Sequence, residues 1–266
     1  NNTGYDLLGA YRPAGSSGVR LGSTMWQYLS LNNNPDGSGI VDPRTYIWYL
    51  KNKDGQWLPY PQDNPSSALP DDADVYLTLD NIANPPSVYS PINLNLLNQN
   101  NDIPRPILSV AEVKFLLAEA YLRGIGVAKD PAKSEQYYYD GIRSSINYWF
   151  SWVNKSGAWV NKPATPTDAA INTLLAAPMV VFTGDDVTKL RRIYAQEWLS
   201  MFWQPDMAFY LMRRTNMTPH SGTPYDASFY RLKYPPAEAA YNKANYNAAV
   251  ATLGQDDTGK KLWWMK

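Results

Sequence analysis

The chain has 266 residues, 44% of them apolar and 18% charged, enough for one large domain or two small ones around a real hydrophobic core. Its 24 Lys and Arg balance its 24 Asp and Glu, so no net positive field invites nucleic acid. With no Cys and only one His, His220, it excludes disulfides, thiol catalysis, histidine-cluster metal sites and any serine triad not built on that imidazole. No apolar run approaches the roughly 18 residues of a membrane-spanning helix. Trp (10) and Tyr (20) far outnumber Phe (6), a bias toward rings whose polar tip suits half-wet surfaces. The chain opens on Asn1-Asn2 without Met and reads as a mature or trimmed piece.

Residues 1–104 are rich in turn chemistry, for example Gly15-Ser16-Ser17-Gly18 and Asn84-Pro85-Pro86-Ser87. Between the turns, the runs Thr45 to Leu50 and Val75 to Leu79 combine β-branched and aromatic residues and predict short strands. This loop-rich, aromatic-rich region lacks long periodic elements. It is expected to pack onto residues 105–266, the two forming one structural unit. Asn32, Asn34, Asp36 and Ser38 alternate as in a calcium loop but lack its closing Glu, so the stretch reads as a plain turn. Asp71, Asp72 and Asp74 read as a solvated turn, and no cofactor or metal is implied.

From Ser109 onward the pattern becomes helical. Ser109 with Glu112 forms a capping-box signature, after which Val113, Leu116, Leu117 and Ala120 fall on one helical face. Glu119 precedes Arg123 by four residues and Gly124 ends the helix. Asp130-Pro131 opens a second helix, predicted to reach about Trp152, and a third fits Thr167 to Leu175. Asp185-Asp186 opens a fourth, which Gln204-Pro205-Asp206 breaks to start another ending near Arg214. A last helix runs from about Pro236 towards Gly254, and the apolar tail at Trp263-Trp264 is expected to dock. The predicted class is mainly α: tetratricopeptide-like helix pairs, long irregular loops and a few short strands.

Several ordered segments resemble one family. The run from Ser109 to Gly124 looks like the signature helix of SusD/RagB-like proteins, and Tyr138-Tyr139-Asp140-Gly141-Ile142 with Ser145 is similar to the helix that follows it. Ile193 to Leu199 with Arg213-Arg214-Thr215, Arg231 with Tyr234-Pro235, Glu238 and Asn242, and Asp256 or Asp257 with Trp263-Trp264 complete the series. Residues 1–104 match chiefly through Asp42-Pro43-Arg44. The resemblance covers about 105–264 and corresponds to the carboxy-terminal part of a longer SusD-like fold. It implies a non-enzymatic, glycan-binding outer-membrane lipoprotein of Bacteroidetes-type bacteria. Such a protein is exposed at the cell surface, captures oligosaccharide and delivers it to a TonB-dependent transporter. Its membrane attachment would run through a lipid anchor whose Cys this chain lacks. Peptide binding, or a pure interaction module for the transporter, are the alternatives.

The residue types point to loops for ligand contact, because sugars offer flat C–H faces to aromatic rings and hydroxyls to amides and charges. Trp26, Tyr28, Trp48, Trp57 and Tyr60 lie among polar residues such as Gln27, Asn52 and Gln62, and Trp159 follows the polar loop Asn154 to Gly157. Each of these rings also suits packing. Arg213 and Arg214, at a helix end, suit ion pairs with Glu197 or Glu238. A glycosidase would need two carboxylates across one groove, and no acid motif marks such a pair.

Overall fold

The computed structural model describes residues 19–31, 39–62, 64–69, 80–98, 106–220 and 230–261. The calcium-like turn, the Asp71 to Asp74 turn, the Val75 to Leu79 run and the terminal tryptophans lie outside them. The described residues contain α1 (Ser23–Leu29), α2 (Thr45–Trp48), α3 (Val110–Arg123), α4 (Pro131–Lys155), α5 (Asp168–Leu175), α6 (Asp186–Ser200), α7 (Pro205–Thr215), α8 (Pro236–Tyr241) and α9 (Lys243–Leu253). Extended pairing among them is confined to isolated bridges, Arg20 with Pro91, Gly22 with Tyr60 and Tyr49 with Ile92. The chain divides into two compact units, Asn1–Ser221 and Gly222–Lys266.

In the first unit the helix starts follow from local chemistry. The side chains of Ser109, Asp130, Thr167 and Asp185 each accept a hydrogen bond from the backbone N–H three residues on, satisfying a donor the helix itself leaves orphaned. Gly124 ends α3 in the left-handed region at φ 73°, where a Cβ is penalised. Helix α4 runs three residues beyond its predicted end, to Lys155. The apolar stripe read from the sequence is not the core face of α3. Phe115, Ala118 and Leu122 are buried, while Val113 and Leu116 are exposed. Both stripes carry apolar residues, so periodicity alone does not choose between them; packing against α4 and α6 does.

The α3–α4 contact depends on Gly141. A Cβ built there would stand 2.7 Å from the Phe115 ring, so any larger residue would force the helices apart. Tyr138 and Tyr139 anchor the segment after α5: the Tyr138 hydroxyl donates to the Val180 carbonyl at 2.7 Å, and the Phe182 N–H donates to the Tyr139 hydroxyl at 2.9 Å. Helix α6 then packs on α3 and on α7, extending the hairpin into a tetratricopeptide-like stack.

Thr45 to Trp48 forms a helical turn where a strand was predicted. The cause lies just upstream. Asp42 Oδ1 accepts the Arg44 N–H at 2.9 Å and the Asp42 carbonyl accepts the Thr45 N–H at 3.0 Å, folding the chain into a turn before the β-branched residues begin. Only Tyr49 pairs as predicted. Arg44 is fully buried and reaches across to the helices. Nε and Nη2 bind the Asp42 carboxylate at 3.0 and 2.7 Å, Nη1 binds Ser145 Oγ on α4 at 3.0 Å, and Nη2 binds Gln196 Oε1 on α6 at 2.8 Å. The loop-rich region is thereby pinned to two helices by a bidentate, fully desolvated guanidinium.

In the second unit, α8 and α9 are separate helices. The single helix predicted from Pro236 to Gly254 is interrupted at Asn242, whose φ −131° and ψ 41° are not helical. Asp256 organises this unit. Its carboxylate accepts from Arg231 Nη1 at 2.6 Å, from the Tyr234 N–H at 3.2 Å and from the Tyr246 hydroxyl at 3.2 Å. Partial desolvation pushes the Asp256 carboxyl upward, and these three donors outweigh it and hold it below the usual carboxylate range.

Candidate functional site

The predicted ligand tryptophans are mostly interior. Trp26, Trp48, Trp57 and Trp159 are all buried, whereas Tyr28 and Tyr60 are half-buried. They do not form one cluster. Trp48 stacks on Phe202 at 4.4 Å and meets Trp149 edge-on at 5.8 Å, within the aromatic core between loops and helices. Trp159 packs on Trp152 at 5.4 Å, and Tyr60 meets Tyr89 at 5.2 Å. Trp26 and Trp57 lie together at 5.9 Å.

Of these six, Trp57 reaches a surface depression of about 280 Å³. Above it sits Tyr46, whose ring is 45% exposed and meets Trp57 edge-on at 5.8 Å with an interplanar angle of 72°. Helix α2 produces this placement. Ile47 and Trp48 turn inward within the same helical turn, which leaves Tyr46 outward. A strand would have sent alternate residues to opposite faces instead.

The rim is built by three segments. In the first, Asn52 Oδ1 accepts the N–H groups of Asp54 and Gln56 at 3.1 and 2.9 Å, while its amide nitrogen donates to the Val88 carbonyl at 2.9 Å. Gly55 completes this turn at φ 72°, a conformation that suits Gly. Lys51 and Lys53 project from the same segment and are exposed. In the second, the turn 81–84 presents the exposed amide of Asn84. In the third, the loop after α4 is held by a reciprocal amide contact. Asn95 Nδ2 donates to the Val160 carbonyl at 2.9 Å and Asn95 Oδ1 accepts the Val160 N–H at 2.8 Å, delivering exposed Asn161 to the rim. Among the described residues no carboxylate lines the depression. It offers one exposed ring, two exposed amides and two ammonium groups, a set that binds a polar ligand through stacking and hydrogen bonds.

Two larger hollows, of about 410 and 770 Å³, flank Phe202. The walls of the larger are chiefly apolar, including Met201 and Met207, whereas the smaller combines Trp149 and Leu108 with Ser109, Ser144, Asn147, Ser200 and Gln204. Sequence reasoning missed Tyr46, Asn84 and Asn161. Nothing local distinguishes an outward Tyr from an inward one, and the three residues meet only through tertiary contacts.

A second polar centre lies between α3, α6 and α7. Glu119 is nearly buried and binds Arg123 Nη1 and Arg214 Nη1 at 2.6 Å each, while the Tyr194 hydroxyl donates to it at 2.8 Å. Burial pushes the Glu119 carboxyl up, but these donors prevail and hold it below its ordinary range. Glu197 receives less. Arg214 approaches its Oε2 only to 3.7 Å, beyond hydrogen-bond distance. Burial, opposed by Arg214 and reinforced by the charges of Glu119 and Glu112, pushes Glu197 up to about 8. Glu112 is also raised by burial, against the Ser109 N–H that binds it. This centre joins helix to helix and lines none of the three depressions described above. Of the predicted pairs, Arg214 with Glu197 is present, and Glu119 takes the shorter contact.

Comparison with known proteins agrees with this architecture. A family profile described as SusD-like, Susd and RagB outer membrane lipoprotein, matches residues 15–265. A SusD homolog from Bacteroides fragilis superposes with a TM-score of 0.61 at 22% identity, over 85% of this chain and 48% of that one. A Bacteroidetes SusD-like protein, AC2a, gives 0.59 at 21% identity, over 94% and 54%. The protein BT1043 gives 0.53 at 19%, over 93% and 50%. The chain therefore spans about half the length of these solved structures, and at such identities the likeness is one of fold. No curated protein matches it. No helix among the described residues is long and apolar enough to cross a membrane. The matched profile spans nearly the whole chain, and the helix stack and its buried hubs are built from the segments that resembled the family in sequence: the chain belongs to the SusD-like family of outer membrane lipoproteins.

Proposed function

We propose that this chain is the glycan-binding part of a cell-surface nutrient-capture system, which holds an oligosaccharide and passes it, chemically unchanged, to a TonB-dependent transporter in the outer membrane. One observation carries the reading: the exposed Tyr46 ring, braced edge-on by buried Trp57, stands beside the amides of Asn84 and Asn161. A braced ring loses little conformational freedom when a sugar face settles on it. The site is shallow and wet, which suits modest affinity and release of the cargo. Family membership supports the outer-membrane setting.

The test is calorimetric titration of the protein with a panel of soluble neutral and acidic oligosaccharides, repeated with Tyr46→Ala. Removing one stacking contact of about 1.4 kcal/mol lowers affinity about tenfold. Binding that Tyr46→Ala leaves unchanged would place the sugar elsewhere. Binding of peptides but no saccharide would replace the glycan with a peptide cargo.

The exposed apolar run on and before α3 favours a second reading, that of an interaction module seated on the transporter. Ile107 and Val110 are 94% and 65% exposed, and Leu116 is 41% exposed on the same helix. That reading gains if Leu116→Asp abolishes co-purification with the transporter while no saccharide binds.

A further inference from the structure

We propose that the Tyr46 depression selects anionic glycans, such as chains bearing uronate or sulfate groups, through Lys51 and Lys53. This rests on the depression being the sugar site. Both lysines line it, both are exposed, and among the described residues neither has a carboxylate within ion-pair distance. Asp54, the acid nearest to them in sequence, does not line the depression.

The local backbone fixes the roots of the two lysines beside the depression. Lys53 leaves the turn whose geometry the Asn52 carboxamide dictates, and its own N–H donates to the Ser87 carbonyl at 3.0 Å. Lys51 precedes that turn by one residue, after Leu50, whose N–H is fixed to the Pro91 carbonyl at 2.9 Å. The stems are therefore rooted while the tips remain free to follow a ligand charge. A neutral sugar has hydroxyls for the amides but nothing to balance two desolvating ammonium groups. A carboxylate or sulfate on the ring stacked over Tyr46, or on the next ring along, supplies charge-assisted hydrogen bonds instead. The contact is solvent-exposed, so it acts on selectivity and weakens with salt.

The discriminating experiment is calorimetric titration with oligogalacturonide, hyaluronan and chondroitin sulfate oligosaccharides. Oligogalacturonide is paired with its methyl-esterified form, which keeps the sugar rings but removes the charge. The protein is used as the wild type, as Lys51→Gln/Lys53→Gln and as Tyr46→Ala. At least one acidic glycan is expected to bind, about tenfold more weakly to the double variant and about fivefold more weakly on raising NaCl from 50 to 300 mM. Tyr46→Ala is expected to weaken acidic and neutral chains alike. If neutral oligosaccharides bind through Tyr46 as tightly as acidic ones and the double variant is indifferent, anionic selection is overturned while the sugar site stands. If nothing in the acidic or neutral panel binds, both are overturned. The substituted lysines are exposed, so an unchanged melting temperature of the double variant certifies that the comparison reads binding.

Discussion

The two buried polar centres of the first unit solve the same problem with opposite completeness. Around Arg44, one guanidinium meets one carboxylate, and Ser145 and Gln196 occupy the donors that Asp42 leaves over. Around Glu119, two guanidinium groups serve Glu119 and Glu197, with the Glu112 carboxyl close enough to act on Glu197. Glu119 takes the short contacts, while Glu197 and Glu112 each keep a buried oxygen without a hydrogen-bond partner. The first centre ties a loop to two helices, where the chain has no periodic packing of its own. The second lies among helices that already bury an apolar face. Full satisfaction is found where polar contacts must specify the geometry, and incomplete satisfaction where hydrophobic packing shares the task.

The largest expected effect breaks the complete centre. Arg44→Met leaves Asp42 buried without its cation and should cost about 3–5 kcal/mol, read by urea unfolding. A loss below about 1 kcal/mol would show that the loop region is held by its aromatic contacts alone. The contacts of Trp48 with Phe202 and Trp149 are the second tie between that loop region and the helices.

The incomplete centre should reveal itself through pH. Folding raises the Glu197 carboxyl from 4.5 to about 8, so across that interval the folded protein binds more protons than the unfolded chain. Its contribution is fully present below 4.5 and is lost as pH rises through about 8. Glu119 is depressed, so its contribution has the opposite sign, present above 4.5 and lost as pH falls through its folded value. Glu197→Gln should therefore flatten the fall in melting temperature between pH 6 and 9, and stabilise the protein at pH 9 by about 1–3 kcal/mol. A wild-type melting temperature that is level across that window would contradict the assignment.

The smallest effect sharpens the contrast from the helix end. Ser109→Ala removes the cap of the helix that carries Glu112 and Glu119 and should cost about 1 kcal/mol in thermal or urea unfolding. The loss should add to that of Arg44→Met, because the capped terminus shares no partner with that centre. A marked departure from additivity would mean that the two centres communicate through α4 or α6.

These centres also account for the family-like segments. Tyr138, Gly141, Ser145, Tyr194, Gln196 and Arg214 are the side chains that anchor, admit or satisfy helix contacts. Their resemblance to a family was legible because such hubs tolerate few residue types. The residues of the proposed sugar site carried no such mark. Tyr46 sits one residue from buried Ile47 and two from buried Trp48, and its exposure follows from a helical turn that the β-branched composition disguised.

The sequence by itself determined the mainly helical class, four helix starts and the Gly124 stop, because caps and left-handed ends act within three or four residues. Only the tertiary structure decided which face of α3 enters the core, where the helix after Pro236 breaks, and that Trp48 and Trp159 are buried. An apolar stripe or an indole ring has the same local pattern on either side of a surface. Its fate is set by neighbours a hundred residues away, as when Arg44 draws Gln196 and Ser145 onto the loop that turns Tyr46 outward.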